Sequence, residues 1–268
     1  MVPISTIKGI IWFYKLELKF LPHLFQILTA CLKQKVGAEY MILKQLFIEY
    51  LANSRIFIWI YQKILKFVNE PLDLTGMMNC LPSIVFTSLV FLEAYFAELV
   101  RVPSIKPIYE PPRKDHEKIV FVLKFTEFMG LFPFLCTLLL SKGPIKESNY
   151  ANNILPQTLS SLLLVSLKLL NSMFRIDYKM VQHTIKSSFF IDIAYHLYSF
   201  LLTYCVEHLD KSEDTKELLH ETVINIGYFS LNDTLNQQTL SQGENTIIQK
   251  LCSLPIHYFI EKKYFNKD

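Results

Sequence analysis

The sequence is poor in glycine, with 7 in 268 residues, and none of them forms a phosphate-binding loop. The patterns GxGxxG, GxxxxGK[ST], GxSxG and HExxH do not occur, although they mark many nucleotide-binding and hydrolytic sites. The seven histidines are scattered, without carboxylate or cysteine partners at ligand-like spacing. We therefore predict that the chain is not an enzyme and has no catalytic, cofactor-binding or metal-ligating residues.

Cysteines are few and far apart. The chain has five, each more than 40 residues from the next: Cys31, Cys80, Cys136, Cys205 and Cys252. An odd number at such spacing excludes a CxxC zinc site and argues against a disulfide framework. It is typical of a reducing compartment, where cysteine behaves as a small apolar residue. We predict that these thiols belong to the core.

An uninterrupted hydrophobic run long enough to span a bilayer is also missing, although the mean hydropathy is high at +0.27. The most apolar windows are Leu81 to Val100, which contains two glutamates, and Ile119 to Leu140, which contains a lysine, a glutamate and a central proline. A charge at mid-span costs about 2.5–3.5 kcal/mol on insertion scales. We predict buried helices, with an integral membrane helical protein as the alternative.

The N-terminus offers little support for a signal peptide. The apolar stretch Gly9 to Tyr14 is too short, and no small-residue cleavage site follows it. We expect this segment to be part of the helical fold.

What the chain does have is helical periodicity. Hydrophobic residues make up 51% and charged residues 19%, and proline or glycine separates one amphipathic run from the next. The clearest stripe comprises Phe190, Ile193, Ala194, Leu197, Leu201 and Tyr204. Because helices follow helices without strand alternation, we predict an all-α fold of stacked helices, an armadillo/HEAT-like α-solenoid.

Composition divides this predicted solenoid. Residues 1–101 form an N-terminal helical part, and residues 102–118 form a loop with four of the twelve prolines. Residues 119–261 form a C-terminal armadillo-like part, and we expect the charged tail 262–268 to be frayed.

The stretch Leu218 to Phe259 predicts a helix, a polar corner, a short helix and a further helix. Gly227 inside the first helix is costly, so we expect a neighbouring helix to approach closely there. Asp233 and its neighbours supply turn and cap chemistry, and Gly243 is predicted to end the short helix.

Four segments carry a resemblance to a known family: FTEFMGLFPFLCTLLLSKG, LKLLNSMFRIDYKMVQ, GYFSLNDTLNQQ and QKLCSLPIHYF. From about Phe125 to Phe259 the chain resembles the C-terminal helical region of the S-phase cyclin A-associated protein in the endoplasmic reticulum family. Members resemble large cytoplasmic adaptors associated with the endoplasmic reticulum, and their zinc finger and coiled coil have no counterpart here.

The resemblance implies protein partners, namely cyclin A with its kinase or the ribosome and deadenylase machinery that degrades tubulin messenger RNA. We expect any contact with RNA to be indirect. We also expect peripheral membrane association at the endoplasmic reticulum, with a nuclear pool as a further expectation.

Two short segments match the K/R-x-L-F type of cyclin-docking motif, Lys44 to Phe47 and Lys63 to Phe67. Both fall on predicted amphipathic helices. We interpret Leu46 and Phe47 as core residues, with Lys44 on the solvated face.

The N-terminal quarter is basic. Up to residue 70 it has nine lysines and arginines against four glutamates, while the net charge of the whole chain is only +3. A basic end of a solenoid can bind RNA, a ribosome surface or anionic lipid. We interpret these lysines instead as the solvent-exposed face of amphipathic helices.

Overall fold

A computed structural model describes residues 21–34, 41–53, 56, 83–101, 155, 157–187, 191–210 and 213–254. Within these ranges it has eight helices and no strand: α1 (Leu21–Lys33), α2 (Met41–Asn53), α3 (Ser83–Arg101), α4 (Gln157–Ser187), α5 (Ile191–Glu207), α6 (Glu213–Ser230), α7 (Thr234–Ser241) and α8 (Ile247–Cys252). The predicted all-α class is confirmed for this part of the chain. Armadillo/HEAT-like stacking stays a prediction.

Several predictions fall on other residues. The proline-rich loop 102–118, the apolar window Ile119 to Leu140, the docking-like segment Lys63 to Phe67 and the tail 262–268 lie outside the described residues.

The N-terminal helices share an aromatic core. α3 packs against both α1 and α4. The ring of Phe25 on α1 lies 5.4 Å from Phe91 on α3, and Tyr95 lies 5.6 Å from Phe96 in an edge-on arrangement. These four rings are almost completely buried, and the burial of their apolar area stabilises the packing of α1 against α3.

The glutamates of α3 are paired with lysines from other helices. Glu98 lies 2.7 Å from Lys44 of α2, and Glu93 lies 3.4 Å from Lys33 of α1. Among the described helices, α3 included, none combines the length and the apolarity needed to cross a membrane.

The predicted face of α2 was wrong. Lys44 is buried, at 7% exposure, while Leu43 and Leu46 are 39% and 46% exposed. Phe47 is buried as predicted. The helix is rotated because the ammonium of Lys44 reaches Glu98, so its alkyl stem can be buried without leaving the charge unpaired.

α4 and α6 run parallel and pack along their length. Residue numbers rise together in the pairs that join them, from Lys168 with Glu217 to Lys186 with Asp233 just beyond α6, so the two helices run in the same direction. α4 bends at Asp177, whose φ of −151° and ψ of 87° are not helical. Its carboxylate accepts a hydrogen bond from the Met180 amide at 3.0 Å, so Asp177 caps the second helical segment of α4.

α5 lies against α6, α7 and α8. The predicted stripe is confirmed at Ala194, Leu197, Leu201 and Tyr204, and it is wider than predicted because Tyr198, Leu202 and Cys205 are buried too. Phe190 lies outside the described residues.

The prediction for Gly227 was wrong. A Cβ atom there would meet nothing within 4 Å, and the position is exposed, so none of the eight described helices approaches it closely. Gly243 does follow the short helix, as predicted, with a positive φ of 84° that favours glycine. α8 then begins with a capping box between Thr246 and Gln249.

Candidate interaction site

A buried polar network joins α4, α5 and α6. The Asn171 amide donates to the Glu221 carbonyl at 2.9 Å and to its carboxylate at 2.7 Å. Asn225 donates to the Asn171 side-chain oxygen at 2.9 Å, and the Tyr198 hydroxyl donates to the Asn225 oxygen at 2.6 Å. Since buried polar groups are costly unless paired, this network holds the three helices in a single register.

Gln182 binds the C-terminal end of α6. Its amide nitrogen lies 2.7, 3.2 and 2.9 Å from the carbonyl oxygens of Tyr228, Phe229 and Leu231, so two N–H groups are shared among three acceptors. The last carbonyls of a helix have no partner within the helix, so this one side chain satisfies backbone groups that would otherwise be orphaned. It also fixes where the chain turns towards α7.

Asp233 organises the corner that follows. It is the N-cap of α7, accepting a hydrogen bond from the Asn236 amide at 3.0 Å, and it pairs with Lys186 of α4. Burial alone would raise the pKa of Asp233, but the hydrogen bonds from Lys186 and Asn236 and the charge of Lys186 outweigh it, so the pKa is lowered. The predicted cap chemistry of the corner is confirmed.

The corner also uses a buried asparagine. The Asn236 side chain donates to the Phe229 carbonyl at 2.7 Å, and Gln237 donates to the Ser230 carbonyl at 2.9 Å. These Asn and Gln side chains act on the backbone and stabilise the corner, which is a structural role.

Lys250 is the strongest chemical candidate among the described residues. Its Nζ lies 2.7 Å from the Ser199 hydroxyl and 2.8 Å from the Thr203 hydroxyl. Burial lowers the pKa of Lys250, and the nearby Glu207 charge opposes that shift. A serine beside such a lysine is one arrangement for nucleophilic catalysis. Lys250 also donates to the Ser199 carbonyl at 3.2 Å, however, so it joins α8 to α5 as a tether.

No metal centre is formed in the described ranges, where groups of three or more histidine, cysteine, aspartate or glutamate side chains do not converge. The cysteines differ from one another. Cys205 is completely buried, and burial raises its pKa to about 12, as expected of a core thiol. Cys252 is exposed, so the core prediction was wrong there because it lies on the outer side of α8.

The docking-like segment of α2 is not presented as an extended peptide. It is helical, with Lys44 and Phe47 buried at 7% and 5% exposure, while Leu46 is 46% exposed. A motif that binds an extended groove through its lysine, leucine and phenylalanine together cannot do so from this conformation.

Sequence reasoning missed three exposed basic residues of α4, namely Arg175, Lys179 and His183. Lys179 and His183 are four residues apart on one side of the segment that follows Asp177, whereas the non-helical backbone of Asp177 separates them from Arg175. The exposed Leu231 and Leu235 of the corner, at 41% and 48% exposure, were not recognisable from a local sequence pattern.

The fold and the site therefore define an all-helical protein whose described polar clusters stabilise the backbone. Family models do not match the chain, and neither do solved structures. The chain is 26% identical over 163 residues to the human protein named "S phase cyclin A-associated protein in the endoplasmic reticulum". The match covers 58% of this chain and 11% of the relative. It confirms the resemblance predicted from the sequence, and the chain spans only a small part of that relative.

Proposed function

We propose that this chain is a non-enzymatic helical scaffold that binds protein partners. The observation that carries the proposal is its similarity to a human protein whose name states association with cyclin A and the endoplasmic reticulum. An armadillo/HEAT-like stacking of the helices is part of the proposal, because parallel packing of α4 and α6 is what stacked helical repeats require.

The use of the polar side chains supports a scaffold over an enzyme. Lys44 and Lys186 are engaged in ion pairs, and Lys250 donates to three oxygen atoms of α5. An active site needs titratable groups directed at a substrate. Lys44, Lys186 and Lys250 are instead directed at the protein's own backbone and side chains, which is consistent with a rigid binding scaffold.

Cyclin A with its kinase is the partner that the similarity favours. Because the segment Lys44 to Phe47 is helical and half buried, we propose that cyclin A contacts a folded surface of the chain. The link to ribosomes and deadenylation, which came with the family resemblance, stays a prediction, and so does a nuclear pool.

We further propose that the chain associates peripherally with the endoplasmic reticulum. The two glutamates that interrupt the apolar face of α3 are paired with lysines of α1 and α2, which fits a helix packed inside a protein. A lipid-facing helix would have to bury such charges in hydrocarbon, at a cost of several kcal/mol.

The test is carbonate extraction of membranes from cells that express the tagged full chain, followed by immunoblotting of the purified chain for cyclin A. The proposal expects release from the membrane without detergent and recovery of cyclin A with the released protein. Retention until detergent is added would contradict peripheral association and favour the integral membrane alternative. Release without cyclin A would contradict the choice of partner.

A further inference from the structure

We draw no further inference here: the strongest candidate, the outer surface of α6 that carries the half-buried Ile224 and the exposed Gly227, where a Cβ on the glycine would meet no atom within 4 Å, is an open helix face, and nothing in the described part of the chain shows what covers it.

Discussion

Lys44 of α2 and Glu98 of α3 form an ion pair at 2.7 Å, and both residues are less than a tenth exposed. Lys44 also donates to the Gln34 carbonyl at 3.2 Å. The pair joins α2 to α3 from the interior. It explains why a lysine that sequence periodicity placed on the surface lies in the core.

We predict that either single substitution at this pair is strongly destabilising. Lys44→Met or Glu98→Leu should each lower the free energy of unfolding by about 3–5 kcal/mol, because each leaves the opposite charge of the ion pair buried. The double variant Lys44→Met with Glu98→Leu should recover most of that loss. Urea unfolding of the four proteins tests this, and strictly additive losses would show that the pair is not coupled.

The Asn171–Asn225 hydrogen bond should behave as part of a network. Asn225→Ala removes one hydrogen bond from Asn171 and one from Tyr198, and the loss of buried hydrogen bonds costs about 1–3 kcal/mol. In the Asn225→Ala background, Asn171→Ala should lower the free energy of unfolding by less than it does in the natural chain, since the hydrogen bond between the two side chains is already lost. The exposed Gln238 gives a matched control, for which Gln238→Ala should change stability by less than about 0.5 kcal/mol. An effect of Asn225→Ala as small as the control's would contradict the network.

The two described glycines predict opposite responses to alanine. At Gly227 a Cβ meets nothing within 4 Å, so Gly227→Ala should stabilise the chain by about 0.5–1 kcal/mol through its helix propensity. At Gly243 the nearest atom, the Tyr195 hydroxyl, is a tolerable 3.6 Å from a Cβ, but φ is +84°. Gly243→Ala should therefore destabilise by about 1–2 kcal/mol. Thermal unfolding of both variants tests these predictions. A lower stability of Gly227→Ala would mean that a helix does approach Gly227.

Asp233 predicts a pH-dependent contribution to stability. Its pKa is lowered in the folded state, so its stabilisation is present above the ordinary value of 3.8 and is lost as pH falls through the lower folded value. Asp233→Asn keeps an N-cap oxygen but removes the charge that pairs with Lys186.

We expect Asp233→Asn to be about 0.5–1 kcal/mol less stable than the natural chain near neutral pH, a small value because such pairs are partly screened. The difference should vanish as the pH falls below the ordinary aspartate range. Urea unfolding at a series of pH values measures it. A difference that persists undiminished in acid would show that the charge of Asp233 is not what stabilises the corner.

Local patterns predicted much of this fold for physical reasons. The kink at Asp177, the cap at Asp233 and the positive φ at Gly243 follow from side-chain and backbone chemistry within a few residues. The stripe of α5 follows from its 3.6-residue period.

The predictions that were wrong concern residues whose surroundings are set by parts of the chain distant in sequence. Lys44 is buried because Glu98 lies 54 positions further along the chain and across a helix interface, which no local period reveals. A close neighbour was predicted for Gly227, although none lies within 4 Å among the described residues, because a glycine in a helix has the same local pattern with or without a packing partner.

The central claim is that this chain is a scaffold whose folded surface binds cyclin A, and the direct measurement is titration calorimetry of the purified chain against purified cyclin A bound to its kinase. The account predicts saturable binding that survives Leu46→Ala, because the segment around Leu46 is helical and its lysine and phenylalanine are buried. Leu65→Ala serves as the parallel variant in the second docking-like segment. Absence of binding would contradict the claim that cyclin A is the partner, and loss of binding on Leu46→Ala alone would show that the segment Lys44 to Phe47 docks as an extended motif after all.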